Sequence, residues 1–250
     1  MSFDPLIFLR RLVSVVALAG IATAAQANGP NLVSNGSFST FTTGAATGSC
    51  SSGTQTAVTG DPTGWTITSG YSFIVNSSNY SSFCGPSGTL GLYGPIGASP
   101  DGGNFLASDG GYLTGYISQP LTLVTGATYS VSFYVAGAQQ SGYTGATTDY
   151  WTVGLGNSAG SGVSQTTPTI NLPSATFSGW SLEQFNFVAQ AASQVLWFLA
   201  TGSPSGQPPF SLLDGVTTTQ VSVPEPPTAL VLLGGLLGLA GLRRVRRSKT

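Results

Sequence analysis

The chain has 250 residues, of which only 6% are charged, and it contains no histidine. All seven Lys and Arg lie in the first 11 or the last 8 residues, so the stretch 28–222 has six carboxylates and no cation. That stretch therefore cannot neutralise nucleic-acid phosphates, and it lacks the residues for Ser-His-Asp, Cys-His, Schiff-base or ordinary zinc chemistry.

The N-terminal segment has the pattern of a secretory signal. Arg10 and Arg11 precede an apolar stretch that ends at an A-x-A site formed by Ala25 and Ala27. This order of a basic, an apolar and a small-residue region is typical of a signal peptide. We expect residues 1–27 to be removed during Sec export, so that the mature chain begins at Asn28.

Both cysteines, Cys50 and Cys84, lie in the part that would be exported. An oxidising compartment favours a disulfide between them. The closed loop of about 35 residues would stabilise the fold by roughly 3–4 kcal/mol in the chain-entropy model. Residues 41–63 are poor in apolar side chains and are predicted to form a long loop that Cys50 ties down.

Strand patterns occupy the rest of the body. In 128–135, Tyr129, Val131 and Phe133 alternate with polar residues, which is the period of a half-buried strand. Glycine, proline and asparagine clusters separate such segments at short intervals. The strands predicted are 65–68, 71–75, 90–93, 104–107, 116–123, 128–135, 150–155, 182–188, 194–201 and 213–221. Many short strands without helical periodicity predict an all-β fold for 28–222, a β-sandwich or jelly roll.

The last 28 residues form three consecutive parts. The first is the polar motif Val223-Pro224-Glu225-Pro226. An apolar run over 228–242 follows; as a helix it would be roughly 22 Å long, which is short for a hydrocarbon core of about 30 Å. The basic end consists of Arg243, Arg244, Arg246, Arg247 and Lys249. Such cations are expected to stay on the cytoplasmic side of the inner membrane.

This tripartite tail resembles the PEP-CTERM sorting signal of Gram-negative bacteria that make an extracellular polysaccharide. The resemblance implies that residues 223–250 are recognised by an exosortase-type transpeptidase, which cuts near Pro224-Glu225-Pro226. The protein would then be a membrane-anchored intermediate before it reaches the cell envelope or the exterior. A plain single-pass anchor that is never cut is the alternative.

The body resembles galactose-binding-like jelly rolls in four segments. They are 31–38 as an opening strand, Gly64-Trp65, 117–119, and 213–216 as a closing strand. The resemblance implies a carbohydrate-binding module or an extracellular adhesion unit, often with a structural calcium ion. Of the expected acidic ligands only Asp214 is present, because Ser39 and Gly215 stand at the other positions. Asp214 is thus the candidate calcium ligand, and no other cofactor is expected.

Neutral glycans are held by aromatic faces together with amide and hydroxyl groups. The candidate contacts are Trp65, Tyr80 and Tyr143, whereas Trp151, Trp180 and Trp197 are predicted to lie in strands and in the core.

The sequence is consistent with three functions. The first is a non-catalytic envelope or matrix protein associated with exopolysaccharide, and the second is a carbohydrate-binding module for neutral glycans. The third is a glycosidase that uses two carboxylates. Its candidates are Asp61, Asp101, Asp109, Asp149, Glu183 and Asp214. Asp101 and Asp109 precede glycines, a pattern that favours turns over catalysis.

Overall fold

The computed structural model of the chain describes residues 29–40, 57–58, 62–68, 71–85 and 88–222. The predicted signal peptide, the sorting signal 223–250 and Cys50 lie outside these ranges, as does the side chain of Cys84. Their cleavage, sorting and disulfide therefore stay predictions. Within the described ranges, no helix is long and apolar enough to cross a membrane.

Every regular element in the described ranges is a β-strand. In chain order they are β1 (Ala57–Val58), β2 (Thr66–Ile67), β3 (Ser72–Asn76), β4 (Phe83–Gly85), β5 (Gly88–Leu90), β6 (Asn104–Asp109), β7 (Tyr116–Thr122), β8 (Thr128–Gln139), β9 (Thr147–Gly156), β10 (Val163–Thr166), β11 (Ile170–Leu172), β12 (Ser181–Val188), β13 (Ser193–Ser203) and β14 (Pro209–Gln220).

Two antiparallel sheets form a sandwich, which confirms the predicted fold class. Sheet A has the order β1-β3-β6-β14-β8-β12, and sheet B has the order β10-β9-β13-β7-β2 with β11 also paired to β9. The remaining strands, β4 and β5, form a separate hairpin. Non-consecutive neighbours such as β6 and β14 place distant parts of the sequence side by side.

The core between the sheets is built from alternate residues of their strands. In β8 these residues are Tyr129, Val131, Phe133 and Val135, as the alternation predicted. The ring of Phe198 in sheet B packs edge-on against Phe133 of sheet A at 5.3 Å and against Trp151 at 6.2 Å. The indole N–H of Trp151 also donates to the carbonyl of Leu212 at 3.1 Å, so a hydrogen bond links the sheets within the core.

A second apolar cluster covers the outer face of sheet A. Phe73, Phe105 and Phe210 point away from the inner core and pack with Phe83 and Leu92. Leu92 lies in the predicted strand 90–93, but it forms only an isolated bridge with Gln140 instead of a full strand. The segment between β3 and β6 therefore serves as a cover for the sheet.

The predicted opening strand is not formed. Leu32 N donates to Thr218 O at 2.8 Å, but the chain then turns, with positive φ values at Asn35 and Phe38. The turn lets Gly36 approach Val216, whose N–H donates to Gly36 O at 3.1 Å. The strands β4, β10 and β11 were not predicted, and β1 falls within the predicted loop 41–63. β10 is exposed along its whole length and has no apolar alternation that could have revealed it.

Candidate functional site

Three loops meet at one end of the sandwich. They are 110–115 between β6 and β7, 140–146 between β8 and β9, and 204–208 between β13 and β14. Strand register brings them together, because β14 pairs at its start with the ends of both β6 and β8. We call this region the loop end.

The loop end carries three neighbouring tyrosines, Tyr71, Tyr112 and Tyr143, which we call the tyrosine patch. Tyr112 is 53% exposed and Tyr143 is 40% exposed. The rings of Tyr71 and Tyr112 are 5.7 Å apart in an edge-on arrangement. Burial raises the pKa of Tyr71, and the nearby Asp109, Tyr112 and Tyr143 raise it further. The patch therefore combines two accessible rings with a third, half-buried ring.

Backbone hydrogen bonds fix Tyr71 at the entry to β3. Its N–H donates to Leu113 O at 3.1 Å, and its carbonyl accepts from Asp109 N at 2.9 Å. Its ring also packs edge-on against Phe73 at 4.9 Å. The half-buried member of the patch is thus joined to the outer apolar cluster.

Asp109 lies under the patch and is only 2% exposed. Its Oδ1 accepts from Gly111 N at 2.9 Å. Burial raises the pKa of Asp109 to about 6, while the nearby backbone N–H groups of Gly111 and Tyr112 lower it. The prediction of a turn at Asp109-Gly110-Gly111 is confirmed. The structure adds that the carboxylate itself organises the turn.

A second acid lies deeper, between the sheets. Asp149 is fully buried, and its Oδ1 accepts from Ser211 Oγ at 3.2 Å, whereas Oδ2 has no hydrogen-bond partner. Burial raises its pKa to about 8, and Asp109 adds to this increase. Gly137 and Gly202 make room for it, because a Cβ at either position would lie 3.0 Å from a carboxyl oxygen. Asp149 is therefore a neutral core group at physiological pH.

Burial limits the chemistry that the carboxyl groups of the candidate acids can carry out. Asp109, Asp149 and Asp214 are at most 2% exposed, so none of them contacts a substrate in this structure. A glycosidase needs two carboxyl groups beside the same sugar ring. Three of the six candidate acids are thus sealed from solvent. Asp61 lies outside the described residues.

The surroundings of Asp214 test the calcium expectation. Its Oδ2 accepts from Asp101 N at 2.9 Å and from the hydroxyl of Ser99, whereas Oδ1 has no hydrogen-bond partner. In the part of the chain that the structure describes, no three His, Cys, Asp or Glu side chains form a metal-binding group. Calcium takes 6–8 oxygen ligands, usually with several carboxylates. Asp214 is thus a single carboxylate with one oxygen engaged by hydrogen-bond donors, and the structural calcium ion that the resemblance implies stays a prediction.

The other predicted glycan contacts lie elsewhere. Trp65 is 3% exposed and belongs to the inner core, where its indole N–H donates to Asn35 O at 3.1 Å. It therefore has no ring face for a glycan. Tyr80 is half-buried and packs against Gly94 and the outer apolar cluster. Of the three, only Tyr143 lies in the patch.

Sheet B carries another aromatic pair on its outer face. The rings of Tyr116 and Trp197 are 5.4 Å apart and nearly perpendicular. The indole N–H of Trp197 donates to Ser161 O at 2.8 Å, and Trp197 is only 4% exposed. The turn between β9 and β10 therefore covers Trp197. Among the residues that the structure describes, the exposed aromatic side chains are Tyr112 and Tyr143 of the tyrosine patch. Trp197 lies in a strand and is buried, as predicted, although it is outside the inner core.

No protein-family model and no curated protein matches this sequence. Its structure is similar to that of TmCBM61 in complex with β-1,4-galactotriose, with 11% identity over 76% of this chain and 99% of that chain and a TM-score of 0.44. It is also similar to the CBM22-1 xylan-binding domain from Paenibacillus barcinonensis Xyn10C, with 18% identity, 80% and 99% coverage and a TM-score of 0.40. The arabinose-bound α-L-arabinofuranosidase MgGH51 matches at 13% identity over 82% of this chain but 28% of that chain, with a TM-score of 0.46. We draw no residue correspondence from these similarities.

Proposed function

We propose that the β-sandwich is a non-catalytic carbohydrate-binding module whose tyrosine patch binds neutral glycans. The observation that carries the proposal is the pair of accessible rings, Tyr112 and Tyr143, beside Tyr71 at the loop end. Apolar C–H faces of sugar rings pack on aromatic faces, and phenolic hydroxyls exchange hydrogen bonds with sugar hydroxyls. Exposed aromatic side chains that lie together in this way mark binding surfaces more often than chance.

The charge of the body supports a neutral ligand. Residues 28–222 contain no Lys, Arg or His. Without cations the module gains no Coulomb attraction to uronic acids, sulfated sugars or anionic lipids. The acid nearest to the patch, Asp109, is buried under it. Uncharged polysaccharides are therefore the ligands that this surface fits.

Burial of the acids supports binding over hydrolysis. Asp149 and Asp214 are completely buried, and Asp109 is engaged by the backbone of its own turn. A general acid or nucleophile has to reach the glycosidic bond within hydrogen-bond distance. These side chains instead serve the fold of the loop end and of the closing strand.

We further propose that the module is exported and sorted through the C-terminal signal, with an exosortase-type transpeptidase as partner and the envelope or exterior as destination. The signals at residues 1–27 and 223–250 support this proposal. Association with exopolysaccharide would then follow from glycan binding by the patch. Intact mass and terminal sequencing of the protein recovered from cells test it, and an unprocessed chain in the cytosol would refute it.

Affinity electrophoresis tests the binding function directly. The protein is run through gels that contain neutral galactan, xylan, glucan or mannan, alongside the double variant Tyr112→Ala/Tyr143→Ala. We expect retardation by at least one polysaccharide and a loss of roughly tenfold or more in affinity for the double variant. Leu182→Ala is the control, because Leu182 is 58% exposed on β12, outside the patch. Equal retardation of the double variant would refute the role of the patch, and no retardation of the wild type in any gel would refute glycan binding.

A further inference from the structure

We infer that Asp109 is a positioning residue whose ionised carboxylate holds the turn that bears Tyr112 in its glycan-binding arrangement, so that binding weakens when Asp109 is protonated. This inference rests on the proposed function of the tyrosine patch. It adds to that function a proton-dependent control of the same site.

The hydrogen bonds of Asp109 give the first reason. The backbone N–H of Gly111, which reaches its Oδ1 at 2.9 Å, is a donor. An ionised carboxylate is purely an acceptor and satisfies it. A protonated carboxyl accepts more weakly and brings an O–H donor next to this N–H. Protonation therefore weakens the contacts that shape the turn.

The frame around the turn gives the second reason. Gly110 is fixed by its neighbours, since its N–H donates to Pro209 O and its carbonyl accepts from Gly202 N, both at 2.8 Å. On the far side, Leu113 O accepts from Tyr71 N. Between these anchors, the Asp109 carboxylate accepts from the backbone N–H of Gly111, the residue before Tyr112. A change at Asp109 thus acts on the turn that bears the most exposed ring of the patch.

Few other titratable groups face Asp109. They are Asp149 from β9 and Tyr71 from the entry to β3, and Tyr71 in turn lies near Tyr112 and Tyr143. None of them is a cation, so no partner keeps Asp109 ionised at low pH. Asp149, with a pKa of about 8, stays protonated over the pH range in which Asp109 changes. The proton that alters the turn below neutral pH is therefore that of Asp109.

The first test measures binding against pH for the full-length protein and a retarding neutral polysaccharide. We expect affinity to fall by roughly three- to tenfold between pH 7.5 and pH 5, with a midpoint near the Asp109 pKa of about 6. Asp109→Asn cannot change its charge and should bind with little dependence on pH. Asp101→Asn is the control, because Asp101 is exposed and lies in another loop. It should keep the wild-type pH profile. A wild-type affinity that stays constant over this range would overturn the inference.

The second test needs no glycan. The amide signals of Gly111 and Tyr112 are followed by NMR from pH 5 to pH 8 in the wild type and in Asp109→Asn. We expect both signals to shift with a midpoint near 6 in the wild type and to stay constant in the variant. If the amides titrate but no glycan binds, the positioning contact stands and the glycan function fails. If glycan binds and the amides do not titrate, the inference fails while the proposed function stands.

Discussion

Ser211 of sheet A donates a hydrogen bond of 3.2 Å to the carboxyl group of Asp149 in sheet B. This bond joins the two sheets at the end of the core that lies under the loop end. The second oxygen of Asp149 has no partner, and residues 28–222 contain no cation to neutralise the group. An ionised Asp149 would be a buried, uncompensated charge, so the folded protein favours its neutral form.

Asp149 should make the protein less stable as the pH rises. Below pH 4 the carboxyl group is protonated in both the folded and the unfolded state, so it has no effect on stability. Between about pH 4 and the folded-state pKa of about 8, only the unfolded state loses its proton. Over that range Asp149 alone lowers the free energy of unfolding by on the order of 1 kcal/mol per pH unit, and above pH 8 its contribution is fully lost. Urea unfolding at pH 4.5, 6 and 7.5 would measure this decrease.

The variant Asp149→Asn is the matched comparison for that measurement. An amide keeps an acceptor for Ser211 and cannot ionise, so the pH dependence should become smaller and the variant should exceed the wild type in stability near pH 8. Asp109 and Asp214 also have raised pKa values, and they leave a residual slope of the same sign. Exposed Asp101→Asn should keep the wild-type slope. A wild type that becomes more stable from pH 4.5 to 7.5 would contradict the assignment.

Gly36 should tolerate no side chain. Its backbone accepts a hydrogen bond from Val216 N, and an added Cβ would overlap the carbonyl of Val216. The obstacle is backbone and cannot rotate away, so Gly36→Ala should cost about 2–3 kcal/mol in the free energy of unfolding. Gly206→Ala is the control, because no atom lies within 4 Å of its added Cβ. Equal midpoints of denaturant unfolding for the two variants would disprove the close contact.

Calcium should not stabilise the described body through Asp214. That carboxyl group already accepts from Ser99 and from Asp101 N, and its raised pKa reflects burial without a neighbouring cation. A ligand that binds only the folded state raises the melting temperature once its concentration exceeds its Kd, and the increase grows with the logarithm of that concentration. We expect equal melting temperatures in EGTA and in millimolar calcium. An increase with calcium that Asp214→Asn abolishes would show that the ion does bind there.

The sequence alone predicted those parts of the fold that depend on local alternation. In 129–135 of β8 and 151–155 of β9 every second residue is apolar, and these residues belong to the inner core as expected. The opening segment 31–38 lacks such a guide, and its turn depends on the close contact of Gly36 with Val216, 180 positions away. The cover over sheet A likewise depends on long-range packing of Phe83 and Leu92. Neither contact produces a periodic pattern in the sequence that could have predicted it.

The sequence predicted less of the candidate site than of the fold. Asp109-Gly110-Gly111 indicates a turn, but Tyr112 directly after it was not among the predicted glycan contacts. Burial of Asp109 depends on the pairing of β6 with β14, which local sequence does not reveal. Tyr71 joins Tyr112 across 41 positions, because β3 and β6 pair in register. Trp65, a predicted glycan contact, is buried by Phe38 and Phe198 from distant segments.

Trp197 should hold the turn between β9 and β10 over the outer face of sheet B. Its indole N–H donates to Ser161 O at 2.8 Å, and Phe at this position would keep the ring but lose the donor. Trp197→Phe should therefore lower the free energy of unfolding by about 1 kcal/mol and speed amide exchange in 158–162.

Trp180→Phe is a matched control, because the indole nitrogen of Trp180 is buried without a hydrogen-bond partner. The same substitution there removes no bond and should leave exchange in 158–162 unchanged. Equal amide exchange in 158–162 in the two variants would mean that the Trp197 hydrogen bond does not hold the turn.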